Sequence, residues 1–174
     1  MIRTFGRSAS AAAVALLVVV TACSDLQNPQ SPKLEAWGAP PPTGQLSGIG
    51  QIGMGTDMQS FAFDVQSNAS GVQGVFTGRD LGENAMLTTD PLADPKTSFT
   101  AFRSSSTFCS NPGHGAEFDA VGHLVEPGVD LYVDYTIKAC DNGAPGTGVD
   151  TWSADVPSRG YHKAGTVTGE IVKQ

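Results

Sequence analysis

The sequence predicts an all-β fold: a small antiparallel sandwich or partly closed barrel of about eight short strands. Three observations favour this class. The chain holds 21 glycines and 11 prolines, and only 16% of its residues are charged, a composition typical of strands and turns. Apolar residues recur at every second position in several segments. No long segment after the N-terminal run carries apolar residues at helical spacing.

The first predicted strands form a hairpin. Segment 58–66 places Phe61, Phe63 and Val65 on one face and polar or small residues on the other. Turn residues follow at 68–71, and segment 71–79 returns as the second strand. Residues 80–96 are rich in Asp, Pro and Gly, so they are predicted as loop with a short strand at 86–88.

The second half contains the clearest alternation. Segment 129–139 places Val129, Leu131, Val133, Tyr135, Ile137 and Ala139 on one side, opposite polar residues. It follows strand 116–125 across a Glu-Pro-Gly turn. Further strands are predicted within 97–108, at 152–156 and at 166–172, with turns at 110–115 and 141–148.

The N-terminus has the pattern of a secretory signal peptide. Arg3 and Arg7 precede an apolar run over 11–20, about half of what a membrane span needs. The run ends in Val20-Thr-Ala-Cys23, which resembles the lipobox of bacterial lipoproteins. That resemblance implies cleavage before Cys23, a diacylglycerol group on its thiol and, as a third chain, an acyl group such as palmitate on its amino group, enough for stable anchoring. The alternative is an incidental cysteine beside an ordinary cleavage site.

Three regions are expected: a signal peptide (1–22), a lipidated cysteine with a proline-rich, disordered tether (23–47), and a β domain (48–174). Ser24 favours the outer membrane where the cell has one. Loss of Arg3 and Arg7 leaves 8 basic against 17 acidic residues, a net charge of about −9. This acidity argues against nucleic-acid partners and makes the lipid, rather than a basic patch, the membrane contact.

Two cysteines remain in the predicted domain. In an exported protein, Cys109 and Cys140 are expected to form a disulfide, although two buried free thiols are the alternative. Closing a loop of about 30 residues would contribute about 3–4 kcal/mol. Neither cysteine has the spacing of a zinc site.

The order of motifs in the second half is similar to that of a known domain type. Asp141-Asn-Gly-Ala-Pro-Gly is followed by Thr151-Trp-Ser and by a terminal Gly165-Thr-Val-Thr-Gly strand. Residues 48–174 thus resemble the post-COAP-type β domains of bacterial surface proteins. Since no activity is established for them, the resemblance implies an all-β fold only, and the cysteine pair departs from the pattern.

Several residue groups have side chains that could bind a ligand or take part in catalysis. Asp141 and Asp150 are calcium candidates, but Asp-Asn-Gly is also typical of a tight turn and no EF-hand pattern is present. The three histidines have no zinc spacing and are expected on the surface. Four aromatic residues could form a carbohydrate platform: Tyr132, Tyr135, Trp152 and Tyr161.

The sequence therefore predicts an extracytoplasmic, lipid-anchored protein with a structural or interaction role at the envelope. No catalysis and no cofactor are expected, and an envelope protein or a glycan is a possible partner. One alternative is a binding module for a glycan or small ligand, including calcium. Another is a surface hydrolase, which a pocket joining His123 or His162 to a carboxylate would favour.

Overall fold

The computed structural model describes residues 43–144 and 147–174, which form ten β-strands and three short 3-10 turns. The strands are β1 (Gly44–Ile52), β2 (Gln59–Asn68), β3 (Gly71–Asp80), β4 (Ala85–Thr89), β5 (Ser98–Arg103), β6 (Gly115–Glu126), β7 (Val129–Cys140), β8 (Thr151–Val156), β9 (Tyr161–Thr166) and β10 (Thr168–Lys173). Within this part of the chain, no helix has the length and apolar character needed to cross a membrane. The predicted all-β class is confirmed.

The strands form one antiparallel sheet that is nearly closed into a barrel. Its order is β10-β1-β2-β3-β4-β6-β7-β8-β9, and β5 pairs with the first half of β6 while β4 pairs with the second half. The two strands at the ends of this order are consecutive in the chain. They are joined by Val167, whose backbone N–H donates to the carbonyl oxygen of Asp150 at 2.9 Å. One bent segment, β9 and β10, therefore supplies both edge strands of the sheet.

Aromatic rings from opposite strands fill the barrel interior. The indole of Trp152 on β8 is fully buried and stacks on Phe61 of β2, with ring centroids 4.0 Å apart. Phe63, Phe76 and Phe118 complete this cluster. Since each large aromatic side chain buries roughly 150–250 Å² and aromatic pairs add further attraction, the cluster is the main apolar contribution to the core.

The N-terminal predictions fall largely outside the described residues. These include the signal peptide (1–22), the lipidation site Cys23 and the tether up to residue 42, as well as Pro145 and Gly146 in the predicted turn at 141–148. Strand β1 begins at Gly44, so the folded region starts four residues before the predicted start at Gly48. Residues 44–47 belong to the sheet because they pair with β2 and β10.

The predicted disulfide between Cys109 and Cys140 is present, with Cα atoms 5.6 Å apart. It ties the loop after β5 to the last residue of β7. Gly115 faces Cys140 across the β6–β7 ladder, and a Cβ atom at Gly115 would lie 2.0 Å from the Cys109 sulfur. Only glycine therefore fits at position 115, because any side chain would clash with the disulfide.

Candidate functional site

A partly enclosed cavity of about 200 Å³ lies at the end of the barrel where the β6–β7 hairpin turns. The first residues of β2, β4 and β9 and the last residues of β3, β6 and β8 surround it. Its apolar wall is formed by Phe76, Ala85, Leu87, Leu124, Tyr135, Ala154 and Val156, and its polar side chains are Gln59, Asp80, Glu83, Glu126, Arg159 and Tyr161. We call it the end cavity. Its volume exceeds that of cavities of about 150 Å³ that bind benzene.

Gln59 is the one inward-facing amide of the end cavity. It shares the inward face of β2 with Phe61 and Phe63, because side chains alternate along a strand. The residue is only 5% exposed, and its Oε1 atom has no hydrogen-bond partner. A buried polar atom without a partner costs about 1–3 kcal/mol. The other two such atoms among the described residues belong to Ser67 and Trp152, which do not line the cavity.

The carboxylate of Asp80, in contrast, is fully occupied. One oxygen accepts from the backbone N–H groups of Gly82 and Glu83 at 2.8 and 3.2 Å. The other accepts from the hydroxyl of Tyr161 at 2.6 Å and the ammonium of Lys163 at 2.9 Å. Lys163 also reaches Asp57 at 2.9 Å. Asp80 therefore fixes the start of β9 against the β3–β4 turn.

The protonation states in this network follow from its geometry. Burial by itself would raise the pKa of the Asp80 carboxyl, but hydrogen bonds from Lys163 and Tyr161 outweigh burial and hold the pKa below its ordinary value. Burial, followed by the bond to Asp80, raises the pKa of the Tyr161 hydroxyl. At neutral pH the network thus consists of a carboxylate, a neutral phenol and an ammonium ion.

The remaining charged side chains make the mouth of the cavity acidic. Arg159 is paired with Glu126. Glu83 is exposed, and its carboxylate has no hydrogen-bond or ion-pair partner among residues 43–144 and 147–174. With Lys163 and its partner Asp57 included, four carboxylates stand against two cations, which leaves an excess of negative charge.

The two calcium candidates act as backbone anchors. Asp150 is 5% exposed, and its two oxygens accept from the N–H groups of Asn142 and Ile171, each at 2.9 Å. Asp141 accepts from the N–H of Lys173 at 3.1 Å. Among the residues that the structure describes, no three acidic, His or Cys side chains are grouped to hold a metal ion.

Two histidines do contact carboxylates, but outside the end cavity. His123 Nε2 lies 2.7 Å from Asp130, and its ring stacks on Tyr132 on the outer face of the sheet. His162 Nδ1 lies 2.5 Å from Asp155, whose other oxygen accepts from Ser153 at 3.2 Å. Both partners of Asp155 contact the carboxylate rather than each other, which differs from the serine–histidine contact of a hydrolytic triad.

The four aromatic residues considered for a carbohydrate platform are separated. Trp152 and Tyr135 belong to the core, and the Tyr135 hydroxyl hydrogen-bonds with Thr89 at 2.8 Å. Tyr132 is partly exposed on the outer face, whereas Tyr161 lines the end cavity. The interpretation as one platform is wrong, because alternation along β7 turns Tyr132 and Tyr135 to opposite faces.

Sequence reasoning did not identify the end cavity. The signal that could have found it is the position of Gln59, which continues the alternation of Phe61, Phe63 and Val65 toward the N-terminus. A polar residue in an inward row is unusual enough to mark a site. Asp80 and Lys163 carry no such signal, since the fold alone brings them together.

The fold and the cavity define an all-β, nearly closed barrel domain with one polar end cavity. Comparison of the chain with protein-family models, with curated proteins and with solved structures finds no match in any of the three.

Proposed function

We propose that this protein is a small-ligand binding module whose binding site is the end cavity. The observation that carries the proposal is the buried Gln59 amide, whose Oε1 atom lacks a partner at the wall of a cavity large enough for a small molecule. A hydrocarbon side chain of similar size would avoid the cost of the unpartnered atom. A ligand that donates a hydrogen bond to Gln59 offsets that cost.

The proposed activity is binding rather than catalysis, because Asp80 already accepts four hydrogen bonds and both histidine–carboxylate pairs lie elsewhere. A site of apolar walls with a few convergent polar groups is typical of ligand pockets. The structural or interaction role at the envelope, and the resemblance to post-COAP-type domains, stay predictions alongside this proposal.

A ligand screen of the full chain by thermal melting tests the proposal. Ala85→Leu places a larger side chain at the cavity wall, and Ala62→Leu makes the same change on the exposed outer face of β2. We expect ligands that raise the melting temperature of the unmodified chain and of Ala62→Leu, but not of Ala85→Leu. A screen of cations, anions, sugars and neutral molecules in which no ligand depends on Ala85 contradicts the proposal.

We further propose that the domain is held at an extracytoplasmic membrane surface by an acylated Cys23. The lipobox-like sequence supports this, and the Cys109–Cys140 disulfide agrees with an oxidising compartment. Cys23→Ser should release the protein from the membrane fraction, whereas Cys109→Ser should leave it bound. Retention of Cys23→Ser in membranes overturns the anchoring proposal.

A further inference from the structure

The end cavity differs from a general apolar pocket in the charge of its mouth. Its two nearby cations are neutralised within the protein, since Arg159 pairs with Glu126 and Lys163 bridges Asp80 and Asp57. Glu83 is left as an exposed carboxylate without a partner among the described residues. An entering ligand therefore meets an excess of negative charge, to which the unpaired carboxylate of Glu83 contributes.

Deeper in the cavity, the polar group in need of a partner is the side-chain amide of Gln59. The Oε1 atom of Gln59 is buried and unpaired, and it lies on a side chain directed inward by the alternation of β2. A turn of the amide about its last side-chain bond presents this oxygen to an ammonium or hydroxyl group, or presents its NH2 group to an acceptor. The choice between these ligands therefore falls to the unpaired carboxylate of Glu83, which favours a cation.

We infer that the end cavity takes a small organic cation, a protonated amine attached to an apolar body. This inference rests on the proposed binding function and names its ligand class. The apolar wall, which includes Phe76, Leu87 and Leu124, covers the body, and the ammonium group donates to Gln59 while Glu83 attracts its charge. A cavity of about 200 Å³ accommodates a benzene-sized body with one or two further heavy atoms.

Three probes of nearly equal shape separate the ligand classes: benzylammonium, benzyl alcohol and benzoate. Each is titrated into the full chain in non-ionic detergent, and the amide resonances of cavity residues are followed by NMR. Ligands of this size are expected to bind with millimolar Kd, so the titration extends to roughly 50 mM. We expect benzylammonium to bind about fivefold more tightly than benzyl alcohol, the size of effect that a partly exposed ion pair produces, and benzoate not to bind.

Matched variants assign the effect to particular side chains. Glu83→Gln should abolish the preference for benzylammonium over benzyl alcohol, whereas Glu170→Gln, the same change on β10 away from the cavity, should preserve it. Gln59→Met, which keeps the length of the side chain, should weaken both probes by a similar factor, about fivefold. Unchanged amide spectra of the unliganded variants verify that each still folds.

The outcomes separate the ligand class from the binding function. If benzyl alcohol or benzoate binds as tightly as benzylammonium, or if Glu83→Gln behaves like Glu170→Gln, the cation assignment is overturned. The binding function then still stands, provided that binding is lost in Ala85→Leu. If no probe perturbs the cavity residues, the ligand class is overturned, and the broader screen decides the binding function. If binding persists in Ala85→Leu, the cavity is overturned as the binding site as well.

Discussion

The two ends of the barrel differ in covalent linkage and in the space left inside, although the disulfide end also holds unpaired buried atoms of Ser67 and Trp152. At the disulfide end, Cys109 and Cys140 are covalently joined, and the buried carboxylate of Asp150 accepts two backbone hydrogen bonds. At the cavity end, space remains inside the barrel and Gln59 keeps an unpaired buried oxygen. The difference indicates that one end stabilises the fold and the other is available for a ligand.

Most polar side chains at the cavity end do have hydrogen-bond partners, however. Asp80, Tyr161 and Lys163 form a connected network as well satisfied as any contact at the disulfide end. It holds the rim of the cavity in place, while the unsatisfied group lies within. Such a combination of a fixed rim and an unpaired interior group is what a preorganised binding site requires.

The largest expected effect is at the disulfide end. The double substitution Cys109→Ala and Cys140→Ala should lower the free energy of unfolding by about 3–4 kcal/mol, because the unfolded chain regains the entropy of an open loop. Urea unfolding of the full chain measures this change. A loss below about 1 kcal/mol would mean that the disulfide end owes its stability to the carboxylate anchors instead.

Asp80→Asn should have a smaller effect, a loss of about 2 kcal/mol, because it leaves the ammonium of Lys163 without its buried partner. The effect should depend on pH. The folded-state pKa of Asp80 lies below the ordinary 3.8, so its stabilisation is present above that value and is lost as pH falls through the folded pKa.

The stability difference between the unmodified chain and Asp80→Asn should therefore shrink as pH falls below the ordinary value of 3.8, as measured by urea unfolding at each pH. Asp134→Asn provides the control, since Asp134 is an exposed carboxylate on the outer face of β7. A difference that stays constant over this range would show that the charge of Asp80 does not stabilise the rim.

The smallest effect has the opposite sign. Gln59→Met should raise the free energy of unfolding by about 1 kcal/mol in the absence of ligand, because it removes an unpaired buried oxygen while keeping the packing of the wall. Thermal melting detects the change. Destabilisation instead would mean that the amide is satisfied in solution and that the contrast between the two ends is smaller than described.

The alternation of β7 made its inward and outward faces predictable, but two strands were missed for identifiable reasons. In β1, Gly48 and Gly50 interrupt the inward row, and neighbouring side chains cover them: a Cβ atom would lie 2.8 Å from the ring of Phe63 and 2.6 Å from Val167, respectively. In β9, the inward row contains Lys163 rather than an apolar residue. The apolar pattern of a segment cannot predict a strand when side chains from other strands occupy the space inside its inward positions.

The candidate site was less predictable than the fold. Gln59 could be placed on an inward face from its own strand, whereas Asp80 and Lys163 are brought together only by the pairing of distant strands. The disulfide was predicted because only two cysteines remained once Cys23 was assigned. The sequence predicts a tight turn or a calcium ligand at Asp141. Its carboxylate instead accepts a hydrogen bond from the backbone of β10.

The bent segment formed by β9 and β10 has a consequence for how the protein folds. This one segment pairs with β8 on one side and with β1 on the other, where Leu46 faces Lys173. Until it docks, a partly folded chain exposes two unpaired strand edges at once, which are templates for pairing with another chain. Closure at such sequence separation is slow. Docking of the last segment is therefore the step at which folding competes with aggregation.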